Sequence, residues 1–593
     1  MRSVRCCSIA PVLKLALVPI PRLILTSLFV AAVSLALLTV SARSAPPIIT
    51  VNGQGGFDGF GGATASAGDV NNDGFDDFLV GAAGFDRSPS ETNIGRAYLF
   101  YGPLEANATI NSADAHITGE AIYDNLGVSV ARAGDVNNDG YDDIIVGAVS
   151  NDANGIQAGR AYLFYGPISG ALNALDADAI ISGEQYDELG WSVAGVGDIN
   201  SDGYDDILIG ARRADGLNGD SGKALLYHGP LSGTNFESDA DAEITGVLIS
   251  EQVGHSLAAG DLNNDGIPDL IVGAPRPPLN GSNTGRVYVF FGPVSGSYPA
   301  TSAHVILSGE SPNNEFGFAV ACGDITGDGQ DDLVVGARQA YNTGDGKAYV
   351  FHGPLVDGIY TPPVLIDAAN ANVRLTGETF SIPGLFGSSV QVLGDLNGDG
   401  KNDLAVGAPT AGANGTYSGR IYLFETLTSG SVAAQSADAM ITGAAAFDFL
   451  GTSVAAAGDW NNDGLDDVLV GAPGQPYDAA HCYVGLFETI AQPTAVRPST
   501  PDVRLSLSSF PSPFGSASTI RYELFESRHA EISVYDVRGS RLRVLVSADL
   551  PAGAGEVTWD GRDQRGVDVA AGVYFVRLRA GAHTVSQKLV RTR

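Results

Sequence analysis

A nine-residue loop occurs seven times in this chain, beginning at Asp69, Asp135, Asp198, Asp261, Asp324, Asp395 and Asp459. The copies read DVNNDGFDD, DVNNDGYDD, DINSDGYDD, DLNNDGIPD, DITGDGQDD, DLNGDGKND and DWNNDGLDD. Successive starts lie 66, 63, 63, 63, 71 and 64 residues apart. Oxygen-bearing side chains repeated on that period constrain both an architecture and a metal.

Aligning the copies separates candidate ligands from filler. Position 3 is Asn71, Asn137, Asn200, Asn263, Thr326, Asn397 and Asn461. Position 5 is Asp73, Asp139, Asp202, Asp265, Asp328, Asp399 and Asp463, and position 9 is Asp77, Asp143, Asp206, Asp269, Asp332, Asp403 and Asp467. Position 6 is always Gly, which lets the chain turn with positive φ. Position 7 varies freely (Phe75, Tyr141, Tyr204, Ile267, Gln330, Lys401, Leu465), so its expected ligand is the backbone carbonyl. Position 2 is always apolar and is expected to anchor the loop inward. Position 8 is mostly acidic but is Pro268 once. Calcium, a hard cation taking six to eight oxygens, fits a set of side-chain oxygens at 1, 3 and 5, a carbonyl at 7 and a closing carboxylate at 9. The expected cofactor is therefore Ca²⁺, up to seven ions, one per unit.

Two neighbouring motifs do not fit. An EF-hand needs Glu at position 12 and flanking helices. Position 12 here is Val80, Val146, Ile209, Val272, Val335, Val406 and Val470, within a β-rich run such as DFLVGA. A dockerin-type loop fails for the same reason. A turn that binds nothing would crowd three uncompensated carboxylates together seven times over.

Each loop follows a strand-like run such as LGVSVARAGD and precedes one ending Gly-Ala. A third run (GRAYLFYGP, GRVYVFFGP, GKAYVFHGP) and a fourth (AHITGE, AIISGE, VRLTGE) complete the unit. Four short strands per unit, repeated radially, predict an all-β chain with a seven-bladed β-propeller. The seventh unit lacks its fourth run, and a spare one, PIITVNGQ, precedes the first unit. Residues 47–52 are thus expected to pair beside 482–487 and close the ring, which removes two exposed edges. The unit, with its FG/LG start, loop and GA/GAP end, resembles the FG-GAP repeat of integrin α-chain propellers over residues 46–490. The resemblance implies calcium loops on one rim and partner binding on the opposite rim.

The ends differ from the middle. Arg2, Arg5, Lys14 and Arg22 precede or flank an apolar run, 23–40, with Val40-Ser41-Ala42 as a small-residue cleavage site. Residues 1–42 are therefore expected to be a signal peptide, the alternative being an uncleaved anchor. Cys322 and Cys482 are expected to stay unpaired. Residues 491–502, rich in Pro and Ser, read as a linker. Seven strand-like runs over 503–593 predict a small Ig-like β-sandwich. The sequence TIRYEL, ISVYDVRG, VTWDGRD, VYFVRL and KLV resembles FlgD-like immunoglobulin modules and type IX secretion sorting domains. That resemblance implies a secreted or outer-surface bacterial protein and contact with secretion machinery.

The chain carries 33 basic and 67 acidic residues, a net charge of −34. Residues 43–500 hold 57 of the acids, and loop positions 1, 5 and 9 supply 21 of them. A surface this negative argues against nucleic acid as a partner. Decoys of catalysis are weak. Gly219-Asp220-Ser221-Gly222 has the look of a serine-protease nucleophile region but sits in a turn between repeat strands. No histidine pair has metal-protease spacing, and no non-repeating polar cluster stands out. The expected function is a non-catalytic, secreted or cell-surface recognition module, monomeric, binding an extracellular protein. The alternatives are a lectin-like propeller that binds glycan and an accessory propeller of an extracellular hydrolase.

Overall fold

A computed structural model describes residues 49–592 except 54–57, 89–90, 105–107, 277, 280–281, 340–343, 357–362, 426, 428, 461–464, 475–482, 488–504, 511–513, 515–516, 525–527, 537–540, 552 and 581–582. The expected signal peptide, the linker, Cys482, Asn461 and Asp463 lie outside the described residues. The chain forms two compact units, 1–491 and 492–593. Among the described residues it is all-β, with six three-residue 3-10 turns as the helical elements.

Among the described residues the first unit holds seven sheets, each built on four antiparallel strands, and a two-stranded ribbon, Pro278–Leu279 with Ser282–Asn283. In the second repeat the strands are Leu126–Gly134, Asp143–Ala148, Arg160–Phe164 and Ala179–Ser182, hydrogen-bonded in that order. The second strands (DFLVGA, DIIVGA, DILIGA) are buried along their whole length. Both faces lie under neighbouring sheets, which is why these runs are continuously apolar rather than alternating. First strands pack on first strands around a ring, and Ser453–Gly458 returns to Ala63–Gly68. Ile49–Asn52 pairs antiparallel with Tyr483–Leu486 and supplies the last sheet's fourth strand.

Two small-residue contacts tie the sheets together. Ser129 Oγ donates to the Gly190 carbonyl at 2.8 Å, Ser192 to Gly254 at 2.7 Å and Ser256 to Gly317 at 3.0 Å. Ser453 donates to Gly61 at 2.9 Å, closing the ring across 392 positions of sequence. Gly147 of the Gly-Ala end meets the neighbouring sheet's backbone so closely that a Cβ would lie 2.1 Å from the Gly190 carbonyl oxygen. The FG and GA ends of the repeat are therefore backbone-to-backbone contacts between sheets.

Five sheets gain a fifth strand that the sequence reading does not contain. Gly170–Asn173, from the connection between the third and fourth strands of one sheet, pairs parallel with Ala115–Thr118 of the preceding sheet. Gly233–Phe236, Gly296–Pro299, Val364–Asp367 and Gly430–Ala433 do the same in turn. Each covers an outer edge that would otherwise present unpaired backbone.

The second unit pairs a three-stranded sheet (Leu505–Phe510, Ser518–Leu524, Gly553–Trp559) with a four-stranded one (Arg541–Leu550, Arg528–Asp536, Gly572–Ala580, His583–Arg591). Trp559 is buried in the core, its ring 5.4 Å from Phe514 and 5.3 Å from Tyr574. Its Nε1–H donates to the Arg562 carbonyl at 2.9 Å, which ties the WDGRD turn to the core.

Candidate functional site

Each acidic loop joins the first and second strands of its sheet, so the loops share one rim. Position 2 fixes them from below: Val70, Val136, Ile199, Leu262, Ile325, Leu396 and Trp460 are all buried. The first loop shows the geometry. Asp69 accepts the Asp73 N–H on Oδ1 and the Gly74 N–H on Oδ2, both at 2.9 Å. Asn71 Oδ1 accepts the Asp73 N–H at 2.8 Å, and Asp73 Oδ1 accepts the Phe75 N–H at 3.0 Å. The loops at Asp135, Asp198 and Asp261 repeat this pattern. At Asp324 and Asp395 the position 1 carboxylate takes a third N–H, from Gly327 and Gly398. Position 7 contributes only backbone to this pattern, which accounts for its free side-chain choice.

Position 9 has a second role beyond the expected cage. Asp77 is fully buried, with Oδ2 accepting the Val70 N–H at 2.9 Å and Oδ1 the Gly102 N–H at 3.0 Å. Asp143, Asp206 and Asp269 bolt their loops to the exits of their third strands in the same way. Both oxygens are thus engaged, and coordination at position 9 must share them with these bonds.

Position 8 is a clasp between sheets. Asp142 Oδ2 accepts the Asp69 N–H of the preceding loop at 2.8 Å, and Asp205, Asp331 and Asp466 accept those of Asp135, Asp261 and Asp395 at 2.9 Å. The residue before position 1 is Gly in all seven copies. A Cβ on Gly134 would lie 2.1 Å from Asp205 Oδ2, and one on Gly458 would lie 1.9 Å from Asp76 Oδ2. Where position 8 is Pro268, a Cβ on Gly197 meets only the proline ring, at 3.5 Å.

The donor chemistry of the loops suits calcium: every candidate ligand is a hard oxygen. Burial pushes the carboxyls of Asp77, Asp143 and Asp269 up to about 7 and that of Asp403 up to about 8. The carboxylates at positions 1 and 5 of the same loops add to the rise, while backbone N–H groups oppose it. No lysine or arginine among the described residues pairs with positions 1, 5 or 9 of the first six loops; Arg132 takes Asp142 at position 8 instead. Such crowding of negative charge calls for a cation. The arrangement as it stands is turned inward, and among the described residues no three acidic, histidine or cysteine side chains converge into a finished metal cage. Each N–H bond occupies one lone pair, so in the first four loops the oxygens at positions 1, 3 and 5 retain capacity for a cation, whereas Asp324 Oδ1 and Asp395 Oδ1 each accept two N–H groups.

The opposite rim carries a cluster that sequence reasoning missed. The residue after the FG, LG or VG start is Gly62, Val128, Trp191, His255, Phe318, Ser388 and Thr452, and arginine follows the GA or GAP end in the third, fourth and fifth repeats alone. Arg212 lies over the Trp191 ring at 3.1 Å and Arg338 over the Phe318 ring at 3.6 Å. The His255 ring sits between them, 5.6 Å from Trp191 and 4.7 Å from Phe318. Glu188 takes Arg212 at 2.8 Å and Arg213 at 3.1 Å; Glu315 takes Arg338 at 2.9 Å and faces Arg276 at 3.7 Å. The signal was present in two variable columns that differ together in three consecutive repeats. Ser221, the decoy nucleophile, is fully buried, and its neighbour Asp220 faces Arg213 at 3.5 Å.

Comparison with known proteins matches residues 60–100, 189–227, 253–290, 316–351 and 386–424 to the FG-GAP repeat. Residues 514–583 match the FlgD Ig-like domain. Phosphatidylinositol-glycan-specific phospholipase D of Bos taurus is 27% identical over 404 residues, covering 61% of this chain and 45% of that protein. Integrin alpha-5 of Xenopus laevis is 31% identical over 245 residues, 40% of this chain and 21% of its own length. The human phospholipase D is 30% identical over 234 residues, 38% of this chain and 27% of its own. The chain spans less than half the length of each of these relatives. No helix among the described residues is long and apolar enough to cross a membrane.

Proposed function

We propose, for a chain that carries five FG-GAP repeats and a FlgD Ig-like domain and has integrin alpha chains among its homologues, that it is an exported recognition module. In this reading seven calcium loops stiffen one rim of a seven-bladed propeller, and the opposite rim binds an extracellular protein. The observation that carries the reading is the apolar character of that opposite rim. Tyr123, Ile156, Tyr186, Leu217, Ile249 and Phe447 are exposed large hydrophobic side chains. All lie on connections between second and third or fourth and first strands, away from the acidic loops. A rim that collects exposed apolar side chains on several repeats is a candidate interaction surface.

The test is adhesion of the immobilised full chain to intact cells, before and after protease or glycosidase treatment of those cells. Loss after proteolysis is expected. Loss only after deglycosylation makes the propeller a lectin, and no adhesion at all sinks the recognition reading. Calcium ligation is tested separately. Asp198→Ala removes an oxygen donor that no other residue of its loop replaces, and should lower the calorimetric calcium stoichiometry by about one site. An unchanged stoichiometry refutes that ligand assignment.

The 404-residue match to a phospholipase D favours a second reading, an accessory propeller beside an extracellular hydrolase. Stable association of the chain with a hydrolase secreted by the same cell would favour this reading over adhesion. The FlgD-like unit is proposed to serve export or surface retention.

A further inference from the structure

Three consecutive sheets differ from the other four at the mouth of the ring on the rim away from the acidic loops. Trp191, His255 and Phe318 line one arc, and the equivalent positions elsewhere hold Gly62, Val128, Ser388 and Thr452. Behind that arc stand four guanidinium groups in a part of the chain with only 16 basic residues against 57 acidic ones. Two carboxylates, Glu188 and Glu315, are shared among the four, with Asp220 at the edge. Arg212 and Arg338 are immobilised on aromatic faces, whereas the Arg213 and Arg276 side chains keep 38% and 34% of their exposure. His255 is buried, and among the described residues its Nδ1 has no hydrogen-bond partner. Burial lowers the pKa of the imidazole, and the Arg212, Arg338 and Arg276 charges add to that fall, so guanidinium charge reaches the interior of the arc.

We infer that this mouth binds a carboxylate-bearing side chain of a partner protein, gripped by Arg213 and Arg276 with Arg212 and Arg338 held in place behind them. The inference rests on the recognition reading above and names the chemistry of its partner. A planar guanidinium suits bidentate capture of a carboxylate. Arg213 already faces Glu188 and Asp220, and Arg276 faces Glu315, so an incoming carboxylate shares or displaces these partners. Burial lowers the Arg212 pKa against the opposing pull of Glu188, and the Arg276 and Arg213 charges add a smaller push in the same direction as burial. A protein is favoured over an acidic glycan by the apolar surroundings. The Arg213 N–H donates to the Asp187 carbonyl and the Arg276 N–H to that of Glu251. These carbonyls lie one and two residues from Tyr186 and Ile249, which are 48% and 63% exposed. Arginine and aromatic anchors inside an apolar surround are the composition of a protein interface.

The test uses the full chain with saturating calcium. The probes are a fluorescein-labelled alternating leucine–glutamate octapeptide, its glutamine counterpart and labelled polygalacturonate. The glutamate peptide is expected to bind, the glutamine peptide is not, and the double variant Arg213→Gln/Arg276→Gln should lose about tenfold or more in affinity. Both substituted side chains are part-exposed, so an unchanged melting temperature checks that the variant is folded. Equal binding by the variant, or by the glutamine peptide, overturns the site while leaving the cell-adhesion result standing. Binding of polygalacturonate in place of the peptide overturns the proposal and moves the recognition reading to glycan. Binding of neither probe overturns the carboxylate site, and cell adhesion then decides the recognition reading independently.

Discussion

The clasp between sheets makes a prediction in which nature supplies the control. Gly134→Ala places a methyl group 2.1 Å from Asp205 Oδ2 and 2.7 Å from its Cγ, at a backbone φ of +86°. The carboxylate must swing away and release the Asp135 N–H that it accepts at 2.9 Å. A hydrogen bond to a charged group contributes about 1.5–3 kcal/mol, and left-handed backbone costs an L-residue about 1–2 kcal/mol. The expected loss is therefore about 2.5–5 kcal/mol. Gly197→Ala is the same substitution one sheet on, at φ +70°, where Pro268 replaces the clasping acid and the nearest atom is 3.5 Å away. It should cost only the backbone term of about 1–2 kcal/mol. Chemical unfolding in saturating calcium, followed by near-UV circular dichroism, measures both. In the Asp205→Ala background the Gly134→Ala loss should shrink to that of Gly197→Ala, because the two residues then no longer meet. Equal losses for the two glycine variants in the parent chain would refute the clasp.

Ser453→Ala should lower stability by about 1 kcal/mol, since it deletes the hydroxyl bond to Gly61 that closes the ring; an unchanged unfolding midpoint would show that closure depends on strand pairing alone. His255 should give acid sensitivity. Burial, aided by Arg212, Arg338 and Arg276, holds its pKa well below the usual 6.5. The unfolded chain takes up this proton first as pH falls through 6.5, so the histidine's contribution is present above that value and lost below it. His255→Phe should remove a slope of up to about 1.4 kcal/mol per pH unit on the acid side; identical slopes in the parent and the variant would contradict this.

What could be read from the sequence follows from what the repeat makes visible. Residues used identically in every unit stand out as fixed columns, and so the acidic loop, its buried position 2 and the four strands were all legible. The spare strand 49–52 was legible because its pattern is that of a fourth strand. Position 8 was not, because Pro268 and Asn402 interrupt the column and make it look tolerant; its partner is an N–H in the preceding unit, which no residue type advertises. The fifth strands were invisible for a related reason. GALN, GTNF, GSYP and GSVA share only a leading Gly and VLID lacks even that, since parallel pairing of an exposed edge uses only backbone. The arginine and aromatic arc was hidden by the opposite bias. Comparing copies draws attention to what is constant, whereas Trp191, His255, Phe318 and the arginines behind them are what three units do differently.

Calcium in the acidic loops is the claim on which the architecture's rigidity depends. Thermal unfolding of the chelated full chain, titrated with calcium and in parallel with magnesium, tests it most directly. A ligand bound only by the native state stabilises it by about 2.7 kcal/mol per site at a hundredfold excess over Kd. Several loops binding together should raise the melting temperature strongly and progressively, with magnesium a weaker substitute because it demands a tighter octahedral cage. A melting temperature that calcium leaves unchanged would contradict the account.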